Sequence, residues 1–312
     1  MKKTKVVVTG GAGFIGSHVV KYWNDNKADV HIIDNLRTGN LSNIEEFKSV
    51  TFHYGSITDS ELVFKVLPDT SYVHHFAAFV SVPDSIIKPD ECYDININGL
   101  LNLLDAAKEF GIEKFVYSSS AAVYGDNPET PKTVNTKPMP KSPYAETKLE
   151  GENYLKLYQE MSDLNTISLR YFNVFGPKQD PESQYAAAIP NFIKNAIRNE
   201  PIIIYGDGNQ TRDFIFVEDV VQANIKAISS SNVSGVFNVA SGKAITINEI
   251  AKIVLEQTKS KSQIIYKDER TGDIKHSLAS IELTALELDF SPKYDLIKGL
   301  RETIKYFLSI LK

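Results

Sequence analysis

The chain has 312 residues, 34 basic and 39 acidic side chains, a net charge of −5, and 42% hydrophobic against 23% charged residues. That balance fits a globular nucleotide domain with a smaller second lobe and argues against a nucleic-acid or anionic-membrane surface. A single cysteine, Cys92, excludes an intrachain disulfide. No apolar run is long enough for a membrane span, and Val6-Val7-Val8 is too short for a signal peptide, so a cytoplasmic protein is expected.

Residues 5–9, 30–34, 50–54, 72–77, 114–118 and 166–171 read as short strands. Helical patterns lie between several of them. Ile15, Val19 and Trp23 recur on one helix face, and residues 94–110 are apolar on most faces. Strand–helix alternation of this kind predicts an α/β fold, a doubly wound parallel sheet of Rossmann type with helices on both faces. Beyond about residue 176 the pattern changes to short elements among Gly- and Pro-containing loops. Residues 176–312 are therefore expected to form a smaller α/β lobe, with 214–240 returning to the first domain, 1–175.

Gly10-Gly11-Ala12-Gly13-Phe14-Ile15-Gly16 follows the first strand and opens the first helix. A tight strand-to-helix turn needs residues without a Cβ, and free N–H groups at the helix start attract a pyrophosphate. Asp34 ends the second strand about 20 residues on, where an acid bonds the adenosine ribose. Its charge would repel a 2′-phosphate, so NAD is the expected cofactor, although Arg37 lies close by. Further along, Tyr144-Ala-Glu-Thr-Lys148 opens a helix with both functional side chains on one face. Tyrosine titrates near ~10 and needs a nearby cation to act as a base at neutral pH. Ser118-Ser119-Ser120 ends an expected parallel strand on the side where such sheets bind ligands. Ser120 can share a substrate hydroxyl proton with Tyr144. No histidine has metal-ligand spacing, so no metal is expected.

Together with Asp34-Asn-Leu, Ala77-Ala78, Asn98-Gly99, Ser118-Ser-Ser-Ala-Ala-Val-Tyr-Gly125 and Arg170-Tyr-Phe-Asn-Val-Phe-Gly176, these motifs resemble the extended short-chain dehydrogenase/reductases that modify nucleotide-activated sugars. The resemblance covers nearly the whole chain. It implies Ser120, Tyr144 and Lys148 as the catalytic set. It implies cofactor contacts from Gly10, Gly13, Phe14, Ile15, Gly16, Asp34, Asn35, Ser56, Ile57, Ala77, Ala78, Asn98, Ser118, Tyr144, Lys148 and Tyr171, with Phe172 also bordering the nicotinamide. The chain departs from the family at Ser56, where the family usually has an adenine-binding Asp.

Dehydratases and decarboxylases of this family carry an acid beside the catalytic hydroxyl, where this chain has Ser119-Ser120-Ala121. It therefore resembles the UDP-sugar 4-epimerases. The implied cycle passes the C4 hydride to NAD, turns the 4-keto sugar over, and returns the hydride to the other face. Resemblance further places Val80, Ser120, Asn173, Gln179, Ala187, Tyr205, Arg212, Arg270, Asp273 and Ser277 around the UDP-sugar. Ser277 stands where a tyrosine restricts some relatives to UDP-glucose and UDP-galactose, and Ala186 and Ala187 are small. UDP-GlcNAc and UDP-GalNAc are thus expected substrates beside UDP-Glc and UDP-Gal. Val80, larger than the glycine of N-acetyl-specific relatives, argues against acetylated sugars alone. The alternatives are a UDP-glucuronate 4-epimerase, an epimerase restricted to UDP-Glc and UDP-Gal, and a non-catalytic NAD-binding regulator. The resemblance also implies a homodimer through a four-helix bundle built from the helices near 94–110 and 144–161.

Overall fold

A computed structural model describes residues 3–181, 188–269 and 275–311. The first half runs β1 (Lys5–Thr9), α1 (Phe14–Asp25), β2 (Asp29–Asp34), β3 (Val50–Tyr54), α2 (Ser60–Val66) and β4 (Tyr72–His75). It continues with α3 (Val82–Ile87), α4 (Pro89–Tyr93), a π-helical turn at Asp94–Asn98, α5 (Gly99–Glu109), β5 (Lys114–Ser120), α6 (Pro143–Met161) and β6 (Asn165–Tyr171). The second half comprises β7 (Asn173–Phe175), α7 (Ala188–Arg198), β8 (Ile202–Tyr205), β9 (Thr211–Phe216), α8 (Val217–Ser229) and β10 (Gly235–Val239). After these come β11 (Ala244–Thr246), α9 (Ile247–Thr258), β12 (Ile264–Lys267), α10 (Glu282–Leu288) and α11 (Leu296–Ile310).

Seven strands form one parallel sheet in the order β10-β6-β5-β4-β1-β2-β3. β1, β4, β5 and β6 are buried along most of their length because both faces of the sheet are covered. In β1, Val7 joins a core layer with Leu100, Leu103 and Leu155 of α5 and α6. Its neighbours Val6 and Val8 pack on the opposite side with Val19 and Val20 of α1. The alternation of a strand thus feeds two cores at once. The expected α/β parallel sheet is present, with β4 ending two residues earlier than the sequence suggested and β5 running two residues further.

The strand order reverses direction between β1 and β4, which opens a crevice at the carboxyl ends of those strands. β9 does not enter the large sheet. It pairs with β7 and β11 in a three-stranded sheet, and α8 and β10 instead carry the chain back. Val220 and Ala223 of α8 share a core layer with Ile167 and Leu169 of β6. A separate core, built on Phe175, Phe192, Phe214, Ile250 and Phe307, joins α7, α9 and α11. Among the described residues, no helix is long and apolar enough to cross a membrane.

Candidate active site

β1 passes into α1 through a turn that two glycines make possible. Gly10 has φ +68°, and a Cβ on it would lie 2.6 Å from the Ala77 nitrogen. A Cβ on Gly16 would lie 2.2 Å from the Gly10 carbonyl oxygen. Gly13 is different, since its only close neighbour would be that same oxygen at 3.1 Å. It caps α1 without a side-chain bond, and the first turn holds no acid. The N–H groups of Phe14, Ile15 and Gly16 therefore open a helix dipole that the chain itself does not neutralise, a cradle that fits a dinucleotide pyrophosphate.

Asp34 is buried at the end of β2, where its carboxylate accepts the amides of Ala12 at 3.0 Å and Leu36 at 2.8 Å. Burial pushes its pKa up, and the two N–H bonds pull it back. It ties the glycine turn to the following loop and keeps lone pairs for ribose hydroxyls. Asn35 accepts from the Arg37 amide at 3.1 Å. Ser56 Oγ is already engaged by Thr58, accepting its N–H at 3.2 Å and its hydroxyl at 2.8 Å. Ile57 packs into the core against Gly99, while Ala77 donates its amide to the Thr9 carbonyl at 3.1 Å and Ala78 is half-buried.

Asn98, expected at the cofactor, is exposed and donates to Asp94 at 2.9 Å. The π-helical turn sets a different residue inward. Asn96 is 2% exposed, accepts the Phe79 amide at 2.7 Å and donates to Thr147 at 2.9 Å. Two asparagines in Asn96-Ile-Asn98 were visible in the sequence, but a π turn has no sequence signature that chooses between them.

Ser120, Tyr144 and Lys148 converge beyond the carboxyl end of β5. The Ser142 hydroxyl caps α6 and Pro143 starts it, which places Tyr144 and Lys148 in its first turns. Lys148 is 4% exposed and donates to the Ser118 carbonyl at 2.8 Å. Its ammonium lies 4.9 Å from the Tyr117 ring centre and 5.8 Å from that of Tyr144. Burial depresses its pKa to about 8, against the pull of Cys92 and Glu152. Tyr144 is pushed up by burial, and hydrogen bonding from Ser120 counters part of that rise. The Ser118 hydroxyl is buried beside Tyr171, whose pKa it helps to lower against the effect of burial.

Behind this cluster lies a buried polar network that motif reading passed over. Glu152, four residues past Lys148, accepts Arg170 Nε at 2.8 Å and Nη2 at 2.6 Å, and both side chains are 4% exposed. Ser119 also donates to Glu152. Arg170 donates at 2.9 Å to the Tyr124 hydroxyl, which donates at 2.6 Å to Asn238. Asn238 in turn donates to the carbonyls of Lys132 at 3.0 Å and Ser280 at 3.3 Å. The i, i+4 spacing from Lys148 was the available signal for Glu152.

Tyr171, expected beside the cofactor, is packed into the α8 layer. It stacks on Phe76 and exchanges hydrogen bonds with Asn224, and its pKa is pushed to about 12 by burial. Phe172 fills a small core with Tyr124, Ala240 and Ala279. Asn173 opens β7, and Val80 is exposed in the loop before α3. Gln179 donates to the Val174 carbonyl at 3.3 Å, while its buried carbonyl oxygen has no partner among the described residues. Tyr205 ends β8. Arg212 sits on β9, with Ser277 running alongside and donating its amide to the Thr211 carbonyl at 3.1 Å. A cavity of about 300 Å³ opens between residues 206–210 and Lys275-His276. Ala186, Ala187, Arg270 and Asp273 lie outside the described residues.

The NAD dependent epimerase/dehydratase family matches residues 6–240. The UDP-N-acetylglucosamine 4-epimerase from Methanobrevibacter ruminantium, solved in complex with UDP-N-acetylmuramic acid, is 44% identical. It superposes with a TM-score of 0.95 over 99% of this chain and 100% of that one. The UDP-glucose 4-epimerase of Thermus thermophilus, in complex with NAD, is 35% identical with a TM-score of 0.89, covering 98% and 99%. The UDP-glucose 4-epimerase of Lactobacillus helveticus is 34% identical over 311 residues, 93% of each chain. The chain belongs to the NAD-dependent epimerase/dehydratase family, and NAD is its cofactor.

The buried Glu152–Arg170 pair yields a stability test. Glu152→Ala strands the Arg170 guanidinium in the interior and is expected to cost ~3–5 kcal/mol. Urea unfolding of wild type and variant measures this, and a loss under about 1 kcal/mol contradicts a closed, buried pair.

Proposed function

We propose that the protein interconverts UDP-hexoses at C4 through a 4-keto intermediate, taking UDP-GlcNAc and UDP-GalNAc as well as UDP-Glc and UDP-Gal. The observation that carries this reading is the meeting of Ser120, Tyr144 and buried Lys148 past β5, with β4 between them and the glycine turn at the end of β1. Bound NAD supplies the hydride acceptor and donor. Tyr144 takes the C4 hydroxyl proton, and Ser120 shares it. Lys148, held by the Ser118 carbonyl, supplies the positive charge that favours the phenolate. In this reading residues 1–175 with the return through α8 and β10 bind the dinucleotide, and the rest of 176–312 holds the UDP end. Asn173, Tyr205 and Arg212 are the described candidates for that grip, with Arg270 and Asp273 assigned by resemblance alone.

The acetylated sugars are favoured by two features. Ser277 is small and lies on the strand edge beside Arg212, and the buried Gln179 carbonyl oxygen has no partner among the described residues. The 44% identity to a UDP-N-acetylglucosamine 4-epimerase points the same way. We further infer a homodimer. Tyr93 of α4 and Leu157 and Met161 of α6 remain 43%, 45% and 63% exposed, an apolar face that a second copy would cover. Light scattering at micromolar concentration is expected to give twice the chain mass; a monomer refutes the pairing.

NMR of products formed from UDP-GlcNAc, UDP-Glc and UDP-glucuronate tests the reaction. The first two are expected to yield their C4 epimers, and conversion of UDP-glucuronate alone would overturn the assignment. Tyr144→Phe should lose at least ~10²-fold in kcat while still binding UDP-sugar. Wild-type rates should fall as pH rises through about 8, because Lys148 carries its proton below that value and loses it above. Lys148→Met, uncharged throughout, should be slow at every pH and lack that limb.

Ser277→Tyr tests the sugar gate. A phenol would fill the space an acetamido group needs, and overpacking a fitted site costs ~1–3 kcal/mol, or roughly ten- to a hundredfold in kcat/KM. The loss is expected for UDP-GlcNAc and UDP-GalNAc but not for UDP-Glc and UDP-Gal. Equal losses on all four sugars would remove Ser277 as the gate.

A further inference from the structure

β1 lies between β2 and β4 in the sheet, so the glycine turn at its carboxyl end is flanked by the loop after β2 and the segment after β4. These two flanks touch. Arg37, just past Asp34 and Asn35, donates from its guanidinium to Glu91 of α4. The same guanidinium lies 4.6 Å from the centre of the Phe79 ring. Phe79 is a firm anchor, being 2% exposed with its backbone N–H and C=O both held by Asn96. Asn96 in turn bonds Thr147, between Tyr144 and Lys148 on α6. Arg37 and Glu91 themselves are 37% and 39% exposed, so the pair sits at the mouth of the crevice and not in the core.

We propose that Arg37 and Glu91 form a bridge across the mouth of the cofactor groove, one that opens each time NAD enters or leaves. The topology leaves such a pair little other role. It connects two segments that the sheet already positions, and an exposed ion pair adds little to stability. What it does add is a barrier over the crevice in which a dinucleotide lies on this sheet type. Arg37 is also taken up by Glu91 and Phe79 and is thereby withheld from a 2′-phosphate, in keeping with an acid at position 34. For the proposed epimerase the bridge has a direct use. The reduced cofactor must stay in place between oxidation and reduction of one sugar, and a slow exit protects that interval. The bridge itself rests only on NAD binding and not on the sugar chemistry, so it can be tested with no sugar present.

The full chain is equilibrated with NADH and mixed with a large excess of NAD, and the loss of bound NADH fluorescence is followed. Glu91→Gln is expected to release NADH about two- to fivefold faster at low salt, the range open to one exposed ion pair. Entry of NADH should quicken by a similar factor, since the same bridge opens in both directions, so Kd moves little. In about 1 M salt the wild type should approach the variant's rate, while the variant barely changes. Arg37→Ala with Glu91→Gln should release no faster than Arg37→Ala alone. Release from Glu91→Gln at the wild-type rate overturns the proposal. Faster release with unchanged entry also overturns it, because Glu91 would then support binding and gate nothing. Both side chains are at the surface, and matching thermal melts show that the variants are folded.

Discussion

Two opposite charges, Glu152 on α6 and Arg170 on β6, sit almost wholly out of water, and each requires the other there. A carboxylate or guanidinium alone at that depth would cost several kcal/mol, on the order of 3–5 when one partner is removed. Their bidentate contact therefore fixes the axial position of α6 against the sheet. Tyr144 and Lys148 lie on the same face of that helix, so their height above β5 follows from the pair. Ser119, bonded to Glu152, fixes the strand end that carries Ser120. Through Tyr124 and Asn238 the same network holds the carbonyls of Lys132 and Ser280, and so steadies the segment that follows Ser277.

The backbone scheme was largely legible because it depends on local periodicity. Alternating apolar strands, an uncapped glycine turn and an acid at the end of β2 each have a physical reason to appear at that spacing. Tyr144 and Lys148 were legible for the same reason, since an i, i+4 pair needs only a helix. The surroundings of Asn96 and Tyr171 show where this reading stops. Which asparagine is buried depends on the π turn, and the Tyr171 hydroxyl is held by Asn224 of α8, 53 positions later. Spacing from Lys148 could single out Glu152, but its pairing with Arg170, like that of Arg37 with Glu91, was out of reach. Each joins segments that only the folded sheet brings together, and a charged residue on a helix is by default solvated. β9 misled for a related reason: an apolar run such as Phe214-Ile-Phe216 fits either sheet, and tertiary pairing decides which.

The network also bears on the kind of chemistry proposed. Elimination from a 4-keto sugar needs a base for the proton next to the ketone, and the residue after Ser120 is Ala121. Glu152 is the carboxylate bonded to this strand end, and it is fully committed. One oxygen takes Arg170 Nε and the Ser119 hydroxyl, and the other takes Arg170 Nη2. A carboxylate so occupied cannot swing out to strip a proton without breaking the buried pair, which the same ~3–5 kcal/mol opposes. Among the described residues, the candidates for handling a proton at the end of β5 are Ser120 and Tyr144, with the ammonium of Lys148 beside them. That set can take a proton from a hydroxyl and return it, and none of the three is a carboxylate. With NAD to take and return the hydride, reversible oxidation at one carbon, the ketone free to turn, is the chemistry these three side chains can support.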